Sequence, residues 1–340
     1  LSIIFKIHMT NQNIPKKILY WYDNNKRTLP WRKKVSKKRK EYFTLVSEFM
    51  LQQTQVKTVI PFFNNFILKI PNLESLAKVQ DNKLMKCWEG LGYYSRARNL
   101  KKTAIKILED FNGKLPNSIE ALKSLPGIGD YTSRAIMAIA FNKKIIPLDG
   151  NIERVLKRVF FLKKKNEISK DNLNKKKSFF ESTNRSSDYV QAIMEIGALI
   201  CKPINPLCKQ CPILNNCISY KKKDFEISSL NKYNKEKYFE VKIFQNEKND
   251  KYYLFKNNKF NFLKGLPIFP MNEIKKERFK SYNGRKLNIK ISNMDMKIIL
   301  NKTNLLPKQK NSFFIDYDNI QSIILPSFTK KIFKLVKKIK

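Results

Sequence analysis

The segment Leu125-Pro-Gly-Ile-Gly-Asp-Tyr-Thr132 lies between two stretches with a helical spacing of apolar residues, Ser118–Ser124 and Tyr131–Phe141. Two glycines two positions apart allow a tight turn and a close approach of the backbone to a ligand. The helix that follows presents unpaired N–H groups and the positive end of its dipole, which favour a phosphate. The segment is interpreted as a helix–hairpin–helix that cradles a phosphate, and a plain turn between helices is the alternative.

The pattern of apolar residues divides the chain into two parts. From Pro15 to Tyr220 these residues recur three and four positions apart, with turns at prolines and glycines, which predicts an all-α body. After about Ser228 they alternate, as at 239–243 and 253–255, and these two runs with a turn at Asn246–Asp250 predict a hairpin. The last third is therefore predicted to be a separate α+β domain.

Two further segments of that domain have recognisable patterns. Alternation over 287–291 predicts another strand, and Ser327–Ile339 has the pattern of a basic amphipathic helix. The run Lys37–Lys40 is predicted to be a solvated loop near a polyanion.

The composition suggests a nucleic-acid partner. The chain has 340 residues, 42% of them hydrophobic, and a formal net charge of +41. This length and apolar content suffice for two or three domains with cores. The charge favours a polyanion, most simply nucleic acid, although a general drift towards lysine is the alternative. No apolar run approaches the roughly 18 residues of a membrane span, and no secretory leader is recognised, so a cytoplasmic location is expected.

Four of the five cysteines form a C-x6-C-x2-C-x5-C run: Cys201, Cys208, Cys211 and Cys217. Cytosolic thiols stay reduced, so a metal centre is favoured over disulfides. Structural zinc sites usually pair two short knuckles, and only one is present here. A four-iron cluster accepts one short and two longer spacers, so the spacing favours a cluster and leaves zinc as the alternative.

Two carboxylates are candidates for chemistry. Asp149 directly precedes the predicted helix Ile152–Phe161, where it can be an N-cap and where the helix dipole favours its charged form. Glu48 lies beside two apolar residues and by default would be a surface side chain. If it faces inward, burial raises its pKa and keeps it protonated near neutral pH. One neutral and one charged carboxyl are what cleavage of a glycosidic bond requires.

Together these segments resemble the helix–hairpin–helix DNA glycosylases, and among them the A/G-specific adenine glycosylases of the MutY type. The resemblance covers about residues 14 to 220. It rests on the four cysteines and on these stretches: Trp21-Tyr-Asp23, Leu29-Pro-Trp-Arg32, Ser47-Glu-Phe-Met-Leu-Gln-Gln-Thr-Gln-Val56, Gly90-Leu-Gly-Tyr-Tyr-Ser-Arg-Ala-Arg-Asn99, Leu125–Thr132 and Leu148-Asp-Gly-Asn151.

The resemblance implies a role for each matching residue. Glu48 matches the acid that protonates N7 of a flipped adenine, and Asp149 matches the carboxylate that stabilises the oxocarbenium-like sugar. Asn151 and Tyr131 match residues that position those two groups. The remaining matches are the adenine pocket (Arg32), contacts to the duplex and to 8-oxoguanine (Gln53, Thr54, Leu91 and Tyr93), the DNA backbone (Gly127, Ile128, Gly129, Lys202 and Lys209), and the [4Fe–4S] ligands (Cys201, Cys208, Cys211 and Cys217).

Tyr131 separates two activities within this superfamily. The bifunctional relatives similar to endonuclease III have a lysine at this position, whose amine attacks the sugar as a Schiff-base nucleophile. A tyrosine cannot form an imine, so a monofunctional enzyme is expected, acting as a monomer on double-stranded DNA with A:8-oxoguanine or A:G mispairs. A bifunctional glycosylase/lyase and a catalytically inactive DNA-binding protein are the alternatives.

The resemblance also implies a domain organisation. Residues 1–30 would pack with the iron–sulfur domain, 31–150 would form a six-helix barrel, 151–225 the iron–sulfur domain, 226–236 a linker and 237–340 a Nudix-like α+β domain. The Nudix-like part departs from the family pattern. Pro267 replaces a tryptophan, and Tyr282-Asn-Gly284 stands where the family has a Phe-Ser-His loop, so weaker discrimination of 8-oxoguanine is expected.

Overall fold

The computed structural model describes seven ranges of the chain: 14–163, 183–226, 235–246, 251–291, 294–306, 309–321 and 323–337. Contacts between residues divide it into two units. The first comprises Leu1–Val79 and Arg98–Ser229, and the second comprises Gln80–Ala97 and Leu230–Lys340. The segment Gln80–Ala97 thus belongs with the C-terminal part of the chain, a grouping that the helical pattern does not indicate. The division into five domains stays a prediction.

The described chain before residue 227 is helical, as predicted. Its α-helices are α1 (Ile14–Asn25), α2 (Lys37–Leu51), α3 (Val56–Lys69), α4 (Leu73–Lys78), α5 (Asp81–Trp88), α6 (Ser95–Asp110), α7 (Ile119–Lys123), α8 (Asp130–Ile139), α9 (Gly150–Phe160), α10 (Ser186–Glu195) and α11 (Ile218–Lys221). The helices α7 and α8 confirm the two that were predicted to flank the hairpin. No helix among the described residues is long and apolar enough to cross a membrane.

Helix α2 is enclosed by its neighbours. Every residue from Tyr42 to Met50 is buried, including the polar ones. The prediction of a loop at Lys37–Lys40 is wrong, because these residues form the first turn of α2. Lysine and arginine are good helix formers, and Lys38 forms an ion pair with Glu74 on α4 at 2.7 Å, which favours the helical conformation.

A second cluster of apolar side chains joins α1, α9 and α10. Ile18, Tyr22, Leu156 and Ile193 are among its fully buried members. The helix α9 therefore has one face in this core, which fixes its N-terminus and the residue before it, Asp149.

The C-terminal part is an α+β domain, as predicted. Its elements are β1 (Lys235–Ile243), β2 (Gln245–Asn246), β3 (Lys251–Lys256), β4 (Pro267–Ile268), β5 (Met271–Glu273), α12 (Lys276–Ser281), β6 (Lys286–Ile291), β7 (Met294–Lys302), β8 (Ser312–Asp316) and α13 (Ser327–Lys337). One sheet has the order β5-β1-β7-β6, in which β1 and β7 are parallel, and the other has the order β2-β3-β4 with β8 paired to β3. Helix α13 contributes Phe328, Ile332, Phe333 and Val336 to the core.

The predicted hairpin is only partly correct. The strand β1 pairs along all nine of its residues with β7 rather than with β3. The strand β3 lies in the other sheet, and only the two residues of β2 pair with it. Four consecutive residues of β3, 252–255, are buried, so β3 is covered on both faces. Residues 247–250 of the expected turn lie outside the described ranges.

Candidate active site and metal centre

Glu48 is an inward-facing residue of α2. It is 6% exposed, because the helix is buried on all sides at this point. Burial raises the pKa of its carboxyl to about 7, and the negative charge of Asp149 acts in the same direction. A hydrogen bond with the Tyr131 hydroxyl opposes this rise. Glu48 therefore holds a proton near neutral pH. It is not the surface side chain that would be the default expectation for a glutamate.

Asp149 is the N-cap of α9, as predicted. Its Oδ1 accepts a hydrogen bond from the Ile152 N–H at 2.7 Å, and its Oδ2 accepts one from the Asn151 side-chain amide at 3.1 Å. Burial nevertheless raises the pKa of this carboxyl above its ordinary value, although these hydrogen bonds and Arg154 oppose the rise. The helix N-terminus thus favours the charged form but does not outweigh the loss of water.

Tyr131 stands in the first turn of α8, where its hydroxyl hydrogen-bonds Glu48 and lies within the electrostatic influence of Asp149. Burial and the charges of Glu48 and Asp149 raise the pKa of its hydroxyl well above the ordinary value. The hydroxyl therefore stays protonated and can donate to Glu48. The structure brings together the four residues predicted from the sequence, namely Glu48, Asp149, Tyr131 and Asn151.

Arg154 links this group to the cysteine loop, and the sequence analysis missed it. Its guanidinium donates to Asn151 Oδ1 at 2.8 Å, to the Gly197 carbonyl at 2.6 Å and to the Cys201 carbonyl at 2.7 Å. A Cβ at Gly197 would lie 2.6 Å from the Cβ of Asn151, so only glycine allows this approach. The available signal was the position of Arg154 one turn after Asn151, on the helix that Asp149 caps.

The two glycines of the hairpin differ in what they do. Gly127 has φ +81°, and a Cβ there would lie 2.9 Å from side-chain atoms of Phe49 and Asn99. Gly129 has an ordinary extended φ and open space where a Cβ would be, and it caps α8. Ile128 between them is buried. Gly127 is thus required by packing and conformation, whereas Gly129 leaves the approach to the helix N-terminus free for a ligand.

The four cysteines of the run line one cavity and form no disulfide. Among the described residues, no group of three or more His, Cys, Asp or Glu side chains is arranged to hold a metal ion. Arg158, which is 3% exposed, donates to Cys201 Sγ at 3.4 Å and to the Lys202 carbonyl at 2.6 Å. A four-iron cluster binds each cysteine through a different iron, so it requires a common cavity but no convergence on one point.

The side chain of Arg32 is held within a buried ion pair. Its guanidinium lies 2.9 Å from Glu195 Oε1, and Arg27 binds the same carboxylate at 2.8 Å. Glu195 is fully buried, and its ion pairs with the two arginines offset the cost of burying its charge. An adenine-pocket role for Arg32 stays a prediction.

The predicted contacts to DNA differ in exposure. Gln53 is exposed with a left-handed φ of 56°, and Thr54 is half-buried beside it. Tyr93, with φ 48°, is 38% exposed, whereas Leu91 is 6% exposed. Lys202 and Lys209 are exposed on the cysteine loop. Leu91 can enter a duplex only if it leaves the position that it has here.

Several known proteins are similar in sequence to this chain. Residues 46–178 match the model of the HhH-GPD superfamily of base excision DNA repair proteins. An adenine DNA glycosylase of Buchnera aphidicola subsp. Baizongia pistaciae is 36% identical over 97% of this chain and 98% of its own. The human adenine DNA glycosylase is 41% identical over 59% of this chain and 38% of its own.

Solved structures show the same helical fold. A thermostable thymine-DNA glycosylase aligns with a TM-score of 0.55 at 27% identity, over 63% of this chain and 98% of its own. An endonuclease III bound to DNA aligns with a TM-score of 0.50 at 22% identity, over 63% of this chain and 97% of its own, which shows the fold alone. The similarity to the Buchnera protein extends over nearly the whole of both chains, and therefore the chain belongs to the adenine DNA glycosylase family.

Proposed function

We propose that this protein is a monofunctional DNA glycosylase that hydrolyses the N-glycosidic bond of adenine opposite 8-oxoguanine or guanine and leaves an abasic site. The observation that carries the proposal is the contrast between the two carboxyls. Glu48 is buried with a pKa of about 7, and Asp149 nearby accepts hydrogen bonds from two donors. Such a pair supplies one proton and one negative charge at the same place.

The reaction begins with extrusion of the adenine, because a stacked base is out of reach of any side chain, and this costs a few kcal/mol. Protonated Glu48 gives its proton to N7, which turns adenine into a neutral leaving group. As the bond breaks, the charge of Asp149 stabilises the oxocarbenium-like sugar. Water then adds to the sugar carbon and releases a proton, which restores the acid.

Tyr131 and Asn151 are positioning residues in this scheme. The Tyr131 hydroxyl hydrogen-bonds Glu48, and the Asn151 amide hydrogen-bonds Asp149. Because Tyr131 has no amine, we infer that no covalent imine forms. Lys123 and Lys143, the nearby lysines of the sequence, are exposed.

The cysteine cavity supports a resident [4Fe–4S] cluster held by Cys201, Cys208, Cys211 and Cys217. Holding it would cross-link the loop that carries Lys202 and Lys209, whose ammonium groups are then available to DNA phosphates. Iron and sulfide analysis together with visible absorption tests this assignment, and stoichiometric zinc would contradict it.

The DNA interface is proposed to include the helix–hairpin–helix and the base-reading residues. Gly127–Gly129 and the N-terminus of α8 would bind a phosphate, and Gln53, Thr54, Leu91 and Tyr93 would contact the duplex near the base opposite adenine. In the C-terminal domain the Tyr282 hydroxyl already donates to the Leu300 carbonyl at 2.6 Å. Its donor is therefore committed, which supports weaker recognition of 8-oxoguanine by a degenerate Nudix-like domain.

Base release under single-turnover conditions tests the proposal. We expect release of adenine opposite 8-oxoguanine and guanine, slower release opposite cytosine, and loss of release in Glu48→Gln. Full activity of Glu48→Gln would contradict the assigned acid. A covalent adduct trapped by borohydride would favour the bifunctional alternative, and salt-dependent binding without base release would favour the inactive one.

A further inference from the structure

Glu89 is a buried carboxylate at the end of α5 that pairs with the C-terminal domain. Its side chain is 8% exposed. Its Oε2 lies 2.7 Å from Lys86 Nζ, and its Oε1 lies 2.8 Å from Lys330 Nζ on α13. The same Oε1 accepts a hydrogen bond from the Leu325 N–H at 3.2 Å. Two partners of this one carboxylate thus come from a segment more than 200 residues later, within the same structural unit.

The loop that follows Glu89 has an unusual backbone. Gly90, Gly92 and Tyr93 all have positive φ, at 104°, 77° and 48°. For a tyrosine this conformation is unfavourable, so the surroundings must hold it in place. One such constraint at the start of the loop is Glu89, whose side chain is buried between Lys86 and Lys330.

Two side chains hold the loop from the inside. The Trp88 indole N–H donates to the Gly92 carbonyl at 3.1 Å, and the Arg96 guanidinium donates to the same carbonyl at 3.2 Å. The guanidinium also lies over the rings of Trp88 and Tyr93, at 5.6 and 5.2 Å from their centroids. The loop 88–94 is therefore held by hydrogen bonds and cation–π contacts that connect Trp88, next to Glu89, with Gly92 and Tyr93.

We propose that Glu89 is a positioning residue through which α13 of the C-terminal domain sets the conformation of the loop carrying Leu91 and Tyr93, and so sets the discrimination of the base opposite adenine. The expected effect on base discrimination rests on the proposed function, whereas the contact between Glu89 and α13 does not. Glu89 is not a catalytic residue in this scheme, because its carboxylate faces Lys86, Lys330 and the Leu325 N–H.

The charges around Glu89 make the contact sensitive to its partners. Desolvation is the largest influence on the pKa of Glu89 and acts to raise it, but the hydrogen bonds of Lys330, Lys86 and Leu325 keep the pKa below its ordinary value. These groups thus favour the ionised form of the carboxylate. Lys330 itself is 46% exposed, so salt can reach its side of the pair and weaken it.

The test compares three substitutions on α13 in the full chain. Lys330→Ala removes the ion pair, and Lys330→Arg retains the charge. Lys331→Ala is the matched control, because Lys331 is exposed on the same helix and forms no ion pair with a described residue. Each protein is assayed for single-turnover release of adenine opposite 8-oxoguanine and opposite guanine, and for amide hydrogen exchange of residues 90–94.

We expect Lys330→Ala to lower the preference for 8-oxoguanine over guanine about fivefold, as for loss of a partly exposed ion pair, and to speed exchange in the loop. Lys330→Arg should keep the base preference and the loop exchange of the unmodified protein. Lys331→Ala should also leave both quantities unchanged. Exchange of the β7 amides should stay slow in all variants, which shows that the domain remains folded. Combining Glu89→Gln with Lys330→Ala should change the preference by less than the sum of the two single effects.

The inference is overturned if Lys330→Ala and Lys331→Ala show the same preference and the same loop exchange. Failure of the proposed function has a different signature, namely absence of adenine release by the unmodified protein. In that case the exchange measurement still decides whether α13 orders the loop.

Discussion

The buried position of Glu48 predicts the shape of the pH–rate profile. With a pKa of about 7 the carboxyl is mostly protonated at about pH 6 and mostly ionised at about pH 8, so base release should fall about tenfold over this interval. A carboxyl with the ordinary pKa of 4.5 would instead lose protonation roughly a hundredfold over the same interval, without a plateau. The two cases differ both in slope and in the presence of a plateau on the acid side.

Single-turnover release of adenine opposite 8-oxoguanine, measured across this range, distinguishes them. Glu41→Gln is a suitable control, because Glu41 stands on the same helix and burial raises its pKa too, with Lys37 opposing the rise. Its profile should match that of the unmodified protein, whereas Glu48→Gln should lose about two or more orders of magnitude of rate at every pH. A rate that falls steadily from about pH 5, with no plateau, would refute the raised pKa.

The same pKa has a consequence for stability. The folded protein binds the Glu48 proton more tightly than the unfolded chain does, so the stabilising contribution is complete below pH 4.5 and is lost as pH rises through about 7. The interval between these two pKa values corresponds to roughly 3 kcal/mol. The unmodified protein should therefore lose this stability between about pH 5 and about pH 8, whereas Glu48→Gln has no such contribution to lose. The urea midpoint of Glu48→Gln should rise relative to that of the unmodified protein over this interval. Equal differences at both pH values would count against burial as the cause.

Four further substitutions test the surrounding geometry. Tyr131→Phe removes the hydrogen bond that lowers the pKa of Glu48, so the plateau of the pH–rate profile should extend to higher pH, and an unmoved midpoint would argue against the contact. Gly127→Ala should lower the free energy of unfolding by about 1–3 kcal/mol because of its φ of +81° and its close neighbours, whereas Gly129→Ala should leave thermal stability almost unchanged and weaken DNA binding. Gly197→Ala places a Cβ 2.6 Å from the Cβ of Asn151, which we propose positions Asp149, so we expect base release to fall about tenfold or more with DNA affinity retained, as for a small misplacement of a positioning group.

The sequence was sufficient to predict the helical body, because helices depend on local patterns. The apolar spacing around Glu48 predicts its helix, but a period shows only one apolar face. The side chain is buried because α2 is covered on all sides, which depends on packing that no local pattern contains.

The relations that sequence reasoning missed are non-local. Arg154 reaches the carbonyls of Gly197 and Cys201, more than 40 residues away. The parallel pairing of β1 with β7 likewise joins distant segments, since the strands β2 to β6 and helix α12 lie between them in the chain. The expected hairpin was the shortest connection available. Turn signals near residue 246 identify a reversal of the chain but not the partner of each strand.

The division of labour between the two carboxyls follows from their hydrogen-bond partners rather than from burial alone. Burial raises the pKa of both, and Asp149 raises that of Glu48 further by its charge. Asp149 accepts hydrogen bonds from Ile152 and Asn151, and the positive charge of Arg154 also favours its ionised form. For Glu48, the hydrogen bond with the Tyr131 hydroxyl opposes the rise in pKa. A single proton shared by this pair near neutral pH therefore resides on Glu48 and the negative charge stays on Asp149, which is the distribution that the proposed mechanism requires.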